Sequence, residues 1–328
     1  MPYEADALMQ GAVTIEVDSV LCAQQSIPLV CSLAGASLPT SAEQRSQLEA
    51  YLLRAGAVLL RGGDVQGVEG FRAFARGFGT LLSYEFGSTP RTDLGAGVFT
   101  STEYPAHRGI PLHNEQAYTS CWPMKLWFYC EVAAPSGGAT PIADSRRIYA
   151  RIPAAIRQRF ERNGLLYVRN YGGGLDVDWP QVFGTHDPSE VARMCEGRGI
   201  RYEWWGDRQL RTWERVQAVA RHPRTRELVW FNQAHLFHVS ALLEEEREAL
   251  LDICGLEAMP RNVYYGDGTS IEDGVLDEIR AVLAAEQVVF PWHAGDILML
   301  DNMLVAHARE PFRGPRKVLV AMAEPYPA

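Results

Sequence analysis

The sequence predicts a mainly β protein with flanking helices, an antiparallel sandwich or jelly roll. Three observations carry this. Strand-like apolar runs sit at both ends of the core region, and helical periodicities are confined to the start and to insertions. Nothing alternates strand and helix in the way a parallel doubly wound sheet requires. No linker or internal repeat divides the chain, so residues 1–328 are expected to form a single domain.

The elements follow in order. Ser41 is placed to cap a helix, with Gln44 at the capping-box position and Leu48, Tyr51, Leu52 and Leu53 as its apolar face. Gly56 stops that helix, and Ala57-Val58-Leu59-Leu60 is a short buried strand. A second helix is expected around Val68–Phe78, ending at Gly79. From about Gly97 the pattern turns β-like, with VFTSTEY, the lead-in to His113 and KLWFYCEVAA as strands broken by Pro and Gly. Asp144 begins a helix as its cap, a short helix follows Pro153, and LLYVRNY is a strand. ELVWFNQAHLFHV reads as a strand running into a loop. Glu244–Cys254 and Ile271–Glu286 are amphipathic helices; QVVFPWH, DILMLDN and KVLVAMAEP close the chain as strands. Between about residues 172 and 226 periodicity is weak apart from a helical patch at Ser189–Cys195. A stretch of this length without clear elements is commonly functional, and here it is expected to be a lid-like insertion.

Composition narrows the function. Apolar residues make up 47% and charged residues 22%, and the net charge is −9. The acidic balance and the lack of a Lys/Arg-rich run argue against a nucleic-acid binder, and no apolar run approaches the length needed to cross a membrane. The start lacks the basic and apolar regions of a secretion signal. The six cysteines form no CxxC pair and are expected to be reduced packing residues of a cytoplasmic protein.

The chemistry concentrates in two stretches. In GIPLHNEQAYTS, side chains two apart on a strand share a face, so His113 and Glu115 would project together while Asn114 points away. Alone, that is also the pattern of an ordinary polar strand. The second stretch, DNMLVAHAREPFRGPRK, adds His307 after an apolar run and Arg316 beyond it. Two histidines and one carboxylate on one face of an iron leave three positions open for a co-substrate and oxygen.

Together with STEYP at Ser101, GGATPIADSR at Gly137 and VWFNQAHLFH at Val229, these stretches resemble the 2-oxoglutarate-dependent non-haem iron oxygenases. The similarity is to the taurine dioxygenase and clavaminate synthase-like group, and within it to the SyrP-like hydroxylases of nonribosomal peptide pathways. It runs from GAVLLRGGDV at Gly56 to the end of the chain. The resemblance implies a double-stranded β-helix core with Fe(II) on His113, Glu115 and His307. It implies 2-oxoglutarate held at its distal carboxylate by Arg316, through a two-point guanidinium grip, and by Thr140. It further implies that 2-oxoglutarate and O2 are converted to succinate and CO2 while an unactivated carbon is hydroxylated. The expected substrate is an amino acid, attacked at a carbon such as Cβ, either free or tethered as an aminoacyl group to a carrier protein. Many relatives have Asp in place of Glu115, but Glu is usual in the clavaminate synthase-like branch. Halogenating relatives lack the carboxylate, so Glu115 argues for oxygenation.

The remaining candidates are weighed against plainer roles. Asn232 and Gln233 are candidates for polar contact with substrate or for structural hydrogen bonds. His235 and His238 are read as rim residues rather than ligands. His107, His186, His222 and His293 are read as surface or turn residues. Arg309 either meets a substrate carboxylate or forms a structural salt bridge, and Arg91 either contacts substrate or is solvated. Trp179, Trp204 and Trp205 are lid or packing residues. Gly172-Gly173-Gly174 lacks the Lys-Ser/Thr of a phosphate loop and is a hinge or turn. The competing functions are a desaturase or epoxidase of the same family, and a jelly roll that binds a metal or small ligand without redox turnover. Zinc suits a two-histidine, one-carboxylate site, but a plain zinc site needs no dicarboxylate clamp of Arg316 and Thr140.

Overall fold

The computed structural model describes residues 15–22, 24, 26–83, 91–205 and 208–327; most of the stretch read above for a secretion signal lies outside them. A seven-stranded sheet forms one wall. Its strands run in the order Ser19–Cys22, Ile27–Ser32, Ala57–Arg61, Ile297–Asp301, Cys121–Val132, Lys317–Pro327 and Val98–Thr100. All pairings are antiparallel except that of Ile27–Ser32 with Ala57–Arg61. A three-stranded sheet faces it, with Val305–Arg309 between Ile110–His113 and Ile142–Asp144.

The period of two explains why KLWFYC is buried along its whole length. Leu126, Phe128 and Cys130 point between the two sheets, where they meet Leu298, Leu300, Val318, Val320 and Val305. Trp127 and Tyr129 point the other way, onto the helices Ala42–Ala55 and Gly67–Arg76, and Phe71 stacks on Tyr129 at 5.4 Å. A strand covered on both faces does not alternate apolar with polar residues, and its one buried charge, Lys125, is paired with Glu49 and Glu324. The outer face of the small sheet is covered by Ile148, Phe160, Leu276 and Ile279 from three helices, Ser145–Arg151, Ala154–Asn163 and Asp273–Glu286.

The caps read from sequence are present. Ser41 and Gln44 form a reciprocal capping box, and Asp144 accepts from the backbone N–H groups of Arg146 and Arg147. Gly56 ends its helix at φ 80°, and a Cβ there would lie 2.5 Å from Val305 Cγ2. The glycine therefore serves both the left-handed turn and the close approach of the strand that carries His307.

Three stretches differ from expectation. QVVFPWH is not a strand. Val288 exchanges two backbone hydrogen bonds with Ile142, Pro291 offers no N–H, and Phe290 and Trp292 anchor the run in the core. The run from Asn232 turns into a short helix at Ala234–Phe237. The weakly periodic insertion holds the helices Trp179–Phe183 and Pro188–Gly197 and a hairpin of Arg201–Trp205 with Gln209–Val216. That hairpin extends a four-stranded sheet through Leu165–Tyr171 and Arg261–Tyr265. Trp179 and Trp204 meet edge to face over their own small core. Among the described residues no helix is long and apolar enough to cross a membrane.

Candidate metal centre

The ladder of the small sheet sets His307 directly opposite His113 and, on its other side, opposite Ile142. The two imidazoles lie 4.4 Å apart, and Phe128 from the large sheet lies 4.9 Å from His307. The strand ends at His113, and Glu115 sits in the turn that follows. The shared face expected of His113 and Glu115 therefore comes from a turn rather than from strand alternation. The ligand atoms of His113, Glu115 and His307 all lie within 4.8 Å of one another.

What holds that turn is Asn302, fully buried at the end of the strand Ile297–Asp301. Its Oδ1 accepts from the Glu115 N–H at 2.8 Å, and its Nδ2 donates to the carbonyls of Glu115 and Pro123 at 2.9 and 2.8 Å. Asn114 points inward as well, donating to the Asn302 carbonyl and to Ser145 Oγ. Asp301 caps the next turn through the N–H groups of Met303 and Leu304, and its other oxygen meets His222 Nε2 at 3.0 Å. His222 is thus fully buried and structural, not a surface residue.

The donor set suits a divalent metal. His113 Nδ1 donates to the Pro111 carbonyl at 2.8 Å, which leaves Nε2 as a lone-pair donor. Burial depresses the pKa of both imidazoles, that of His307 well below its ordinary value, with Arg91 and the neighbouring His113 adding to the effect there. Both are therefore neutral at pH 7, as a ligand must be. Two neutral imidazoles and a carboxylate gathered at a small cavity are the donors of the two-His, one-carboxylate iron site.

Beside them lies a cavity of about 30 Å³ lined by Ser101, Thr140 and Arg316 as well as His113 and His307. Arg316 donates to the Gly138 carbonyl at 2.9 Å and approaches Thr140 Oγ1 at 3.5 Å, while Trp292 Nε1 fixes that same Thr140 oxygen at 3.0 Å. Burial and the neighbouring Arg309 lower the Arg316 pKa to about 10, and it stays protonated at neutral pH. Among the described residues no carboxylate forms an ion pair with it. A buried cation in that position calls for an anionic ligand.

A second cavity, of about 200 Å³, shares Arg91 and His113 with the first and is lined further by Glu115, Tyr104, Tyr118, Gln233, Phe237 and Arg261. It adjoins an outer groove of about 750 Å³ that contains Leu175 and Asp176 of the insertion. Asp176 pairs with Arg261 in a bidentate contact, one arm at 2.6 Å. Arg91 pairs with Glu115 at 2.8 Å, with both side chains buried.

The other sequence candidates separate. Gln233 lines the cavity, but its Nε2 donates to the Asn114 carbonyl at 2.7 Å. Asn232 spends its amide on the Ala218 carbonyl and the Ala234 N–H. Arg309 makes no salt bridge among the described residues; it donates to the carbonyls of Thr102, Tyr104, Pro105 and Arg108 and so shapes the loop over the site. His235 is buried, with Nε2 on the Leu112 carbonyl at 2.8 Å. Sequence reasoning did not pick out Tyr118, Arg261 or Trp292. For Asn302 the one available signal was its position breaking an apolar strand.

A jelly roll that sets such a donor trio beside a buried, anion-seeking arginine is built as an oxygen-activating non-haem iron protein is built. Comparison with known proteins gives the family. Residues 28–322 match the model described as "Taurine catabolism dioxygenase TauD, TfdA family", and the chain belongs to that family. It is an Fe(II)/2-oxoglutarate-dependent dioxygenase. The chain is 39% identical to the dapdiamide synthesis protein DdaC of Enterobacter agglomerans, over 92% of this chain and 95% of that one. It is 33% identical to a clavaminate synthase-like protein of Arabidopsis thaliana, over 90% and 93%. The solved structure of AAD-2 in complex with Mn(II) and N-oxalylglycine shares the fold at a TM-score of 0.51 and 16% identity, over 90% of this chain and 92% of that one.

Proposed function

We propose that this dioxygenase hydroxylates an unactivated carbon, such as Cβ, of an amino acid or carrier-tethered aminoacyl group in the synthesis of a peptide natural product. The observation that carries the reading is what gathers at the donor trio: a small cavity with a buried arginine and threonine, and an adjoining amino-acid-sized cavity with charged walls. The likeness to a dapdiamide synthesis protein supports the pathway class.

In this reading His113, Glu115 and His307 hold Fe(II), and Arg316 with Thr140 grips the distal carboxylate of 2-oxoglutarate. The bound iron supplies the reduction of O2 coupled to conversion of 2-oxoglutarate to succinate and CO2. The chain's own residues position and exclude. Asn302 fixes the Glu115 turn, Trp292 fixes the Thr140 hydroxyl, and Arg309 holds the 102–108 loop over the site. Phe128 and Val318 keep the co-substrate side apolar. Arg91 and Gln233 face the substrate, and the insertion at about residues 172–226 covers its cavity through the Asp176–Arg261 pair. The whole chain works as one catalytic domain.

The test is to incubate the protein with Fe(II), 2-oxoglutarate and O2 and with free amino acids or aminoacyl carrier proteins, then weigh the products. Succinate formed together with gain of one oxygen atom supports hydroxylation. Loss of two hydrogens would replace it with desaturation. Succinate formation that no amino acid or aminoacyl carrier stimulates would overturn the substrate class.

A further inference from the structure

The carboxylate of Glu115 has two claimants. Its Oε2 is 2.8 Å from Arg91 Nη2 and 3.9 Å from His307 Nε2. The oxygen that approaches His307 is therefore the oxygen that Arg91 holds. The pair is shielded, with side chains 5% and 7% exposed, so solvent screens it little. A metal among the three donors needs that oxygen, and a dication and a guanidinium on one buried carboxylate repel each other.

Arg91 has somewhere else to go, because it lines both cavities, the one with Thr140 and Arg316 and the one with Tyr118 and Gln233. A buried guanidinium that loses a carboxylate favours a replacement anion. Taking the metal centre proposed above as given, we infer that Arg91 is a carboxylate receptor held in reserve by Glu115 and released by the metal. In the metal-free protein it neutralises the Glu115 carboxylate, while Asn302 holds the turn. Once the metal takes Oε2, Arg91 receives the carboxylate of an organic ligand.

Two ligands carry that group: 2-oxoglutarate, through its keto-acid end, and the substrate. If the substrate is the source, its carboxylate lies free beside the metal, and an aminoacyl group esterified to a carrier through that carboxylate cannot satisfy the site. A substrate tethered through another group can.

Two measurements decide this. The first is calorimetric titration of the metal-free protein with Co(II), for wild type, Arg91→Gln and Arg91→Lys. Release of a competing cation predicts that Arg91→Gln binds Co(II) at least about threefold more tightly than wild type. Arg91→Lys, which keeps the cation, should stay near wild type. If Arg91 merely props Glu115 in place, Arg91→Gln binds more weakly instead, by about 10- to 100-fold as for lost outer-shell support, and the inference fails. The second is a crystal structure with Co(II) and N-oxalylglycine in a buffer free of carboxylates. A guanidinium on the N-oxalylglycine carboxylate assigns the receptor to the co-substrate. A guanidinium turned toward Tyr118 and Gln233 assigns it to the substrate. A guanidinium still paired with Glu115 overturns the inference while leaving the metal centre intact. Failure of wild type to bind Co(II) overturns the metal centre itself, and the inference with it.

Discussion

Replacing Asn302 with alanine should damage both the fold and the metal centre. The side-chain amide is fully buried and meets three backbone groups: the N–H of Glu115 and the carbonyls of Glu115 and Pro123. Alanine leaves all three without that partner. A buried polar group that loses its partner costs about 1–3 kcal/mol, so the variant should lose about 3–6 kcal/mol after partial relaxation or entry of water. With a urea slope of about 3 kcal/mol per molar for a chain this large, the unfolding midpoint drops by about 1–2 M. The same contacts set the backbone of Glu115, so Co(II) affinity should fall by about tenfold or more, the scale of lost outer-shell support. Urea unfolding followed by fluorescence and Co(II) titration of the variant measure the two effects. A midpoint and a Co(II) affinity both equal to wild type would refute the claim that Asn302 organises the site.

Other predictions address other parts of the site. Arg316→Gln should weaken N-oxalylglycine binding to the Co(II)-loaded protein by about 10- to 100-fold, because a charge-assisted bond is worth about 1.5–3 kcal/mol, and Co(II) affinity should be nearly unchanged. His235 is buried with its pKa lowered from 6.5 to about 4, chiefly by burial. The unfolded chain therefore binds a proton between those values that the native state does not. Its contribution is complete above pH 6.5, declines as pH falls, and levels off below about pH 4, for a total of about 3 kcal/mol. The Tm of His235→Gln should accordingly fall less steeply than that of wild type from pH 6.5 to pH 4; parallel curves would disprove the assignment. Gly56→Ala places a Cβ 2.5 Å from Val305 Cγ2 at φ 80° and should cost about 2 kcal/mol or more, read as a lowered Tm.

The parts of this protein legible in its sequence are those with a local physical signature. The Ser41–Gln44 capping box, the Asp144 cap and the Gly56 stop each need only a few neighbouring residues. His113, Glu115 and His307 were legible as residue types in a motif; the ladder pairs the two histidines, and the turn held by Asn302 adds Glu115. What was not legible depends on distant partners. His222 is followed by a run of charged and turn-forming residues, Pro223 to Glu227, yet its ring is buried against Asp301 from a strand far along the chain. Arg309, two residues past His307, is open in the sequence to a substrate carboxylate or a salt bridge, but its partners are four carbonyls of one loop. The insertion lacks clear periodicity because its strand Arg201–Trp205 alternates only between exposed and half-buried positions and its small core is shared with Tyr171. QVVFPWH has the apolar content of a strand but one proline too many for a ladder.

The proposed iron site is tested most directly by anaerobic addition of Fe(II) and then 2-oxoglutarate to wild type and to His307→Ala, with the visible spectrum recorded at each step. The account predicts a weak metal-to-ligand charge-transfer band in wild type that is absent from the variant. No band in wild type, with Fe(II) left unbound or Zn(II) strongly preferred, would contradict it.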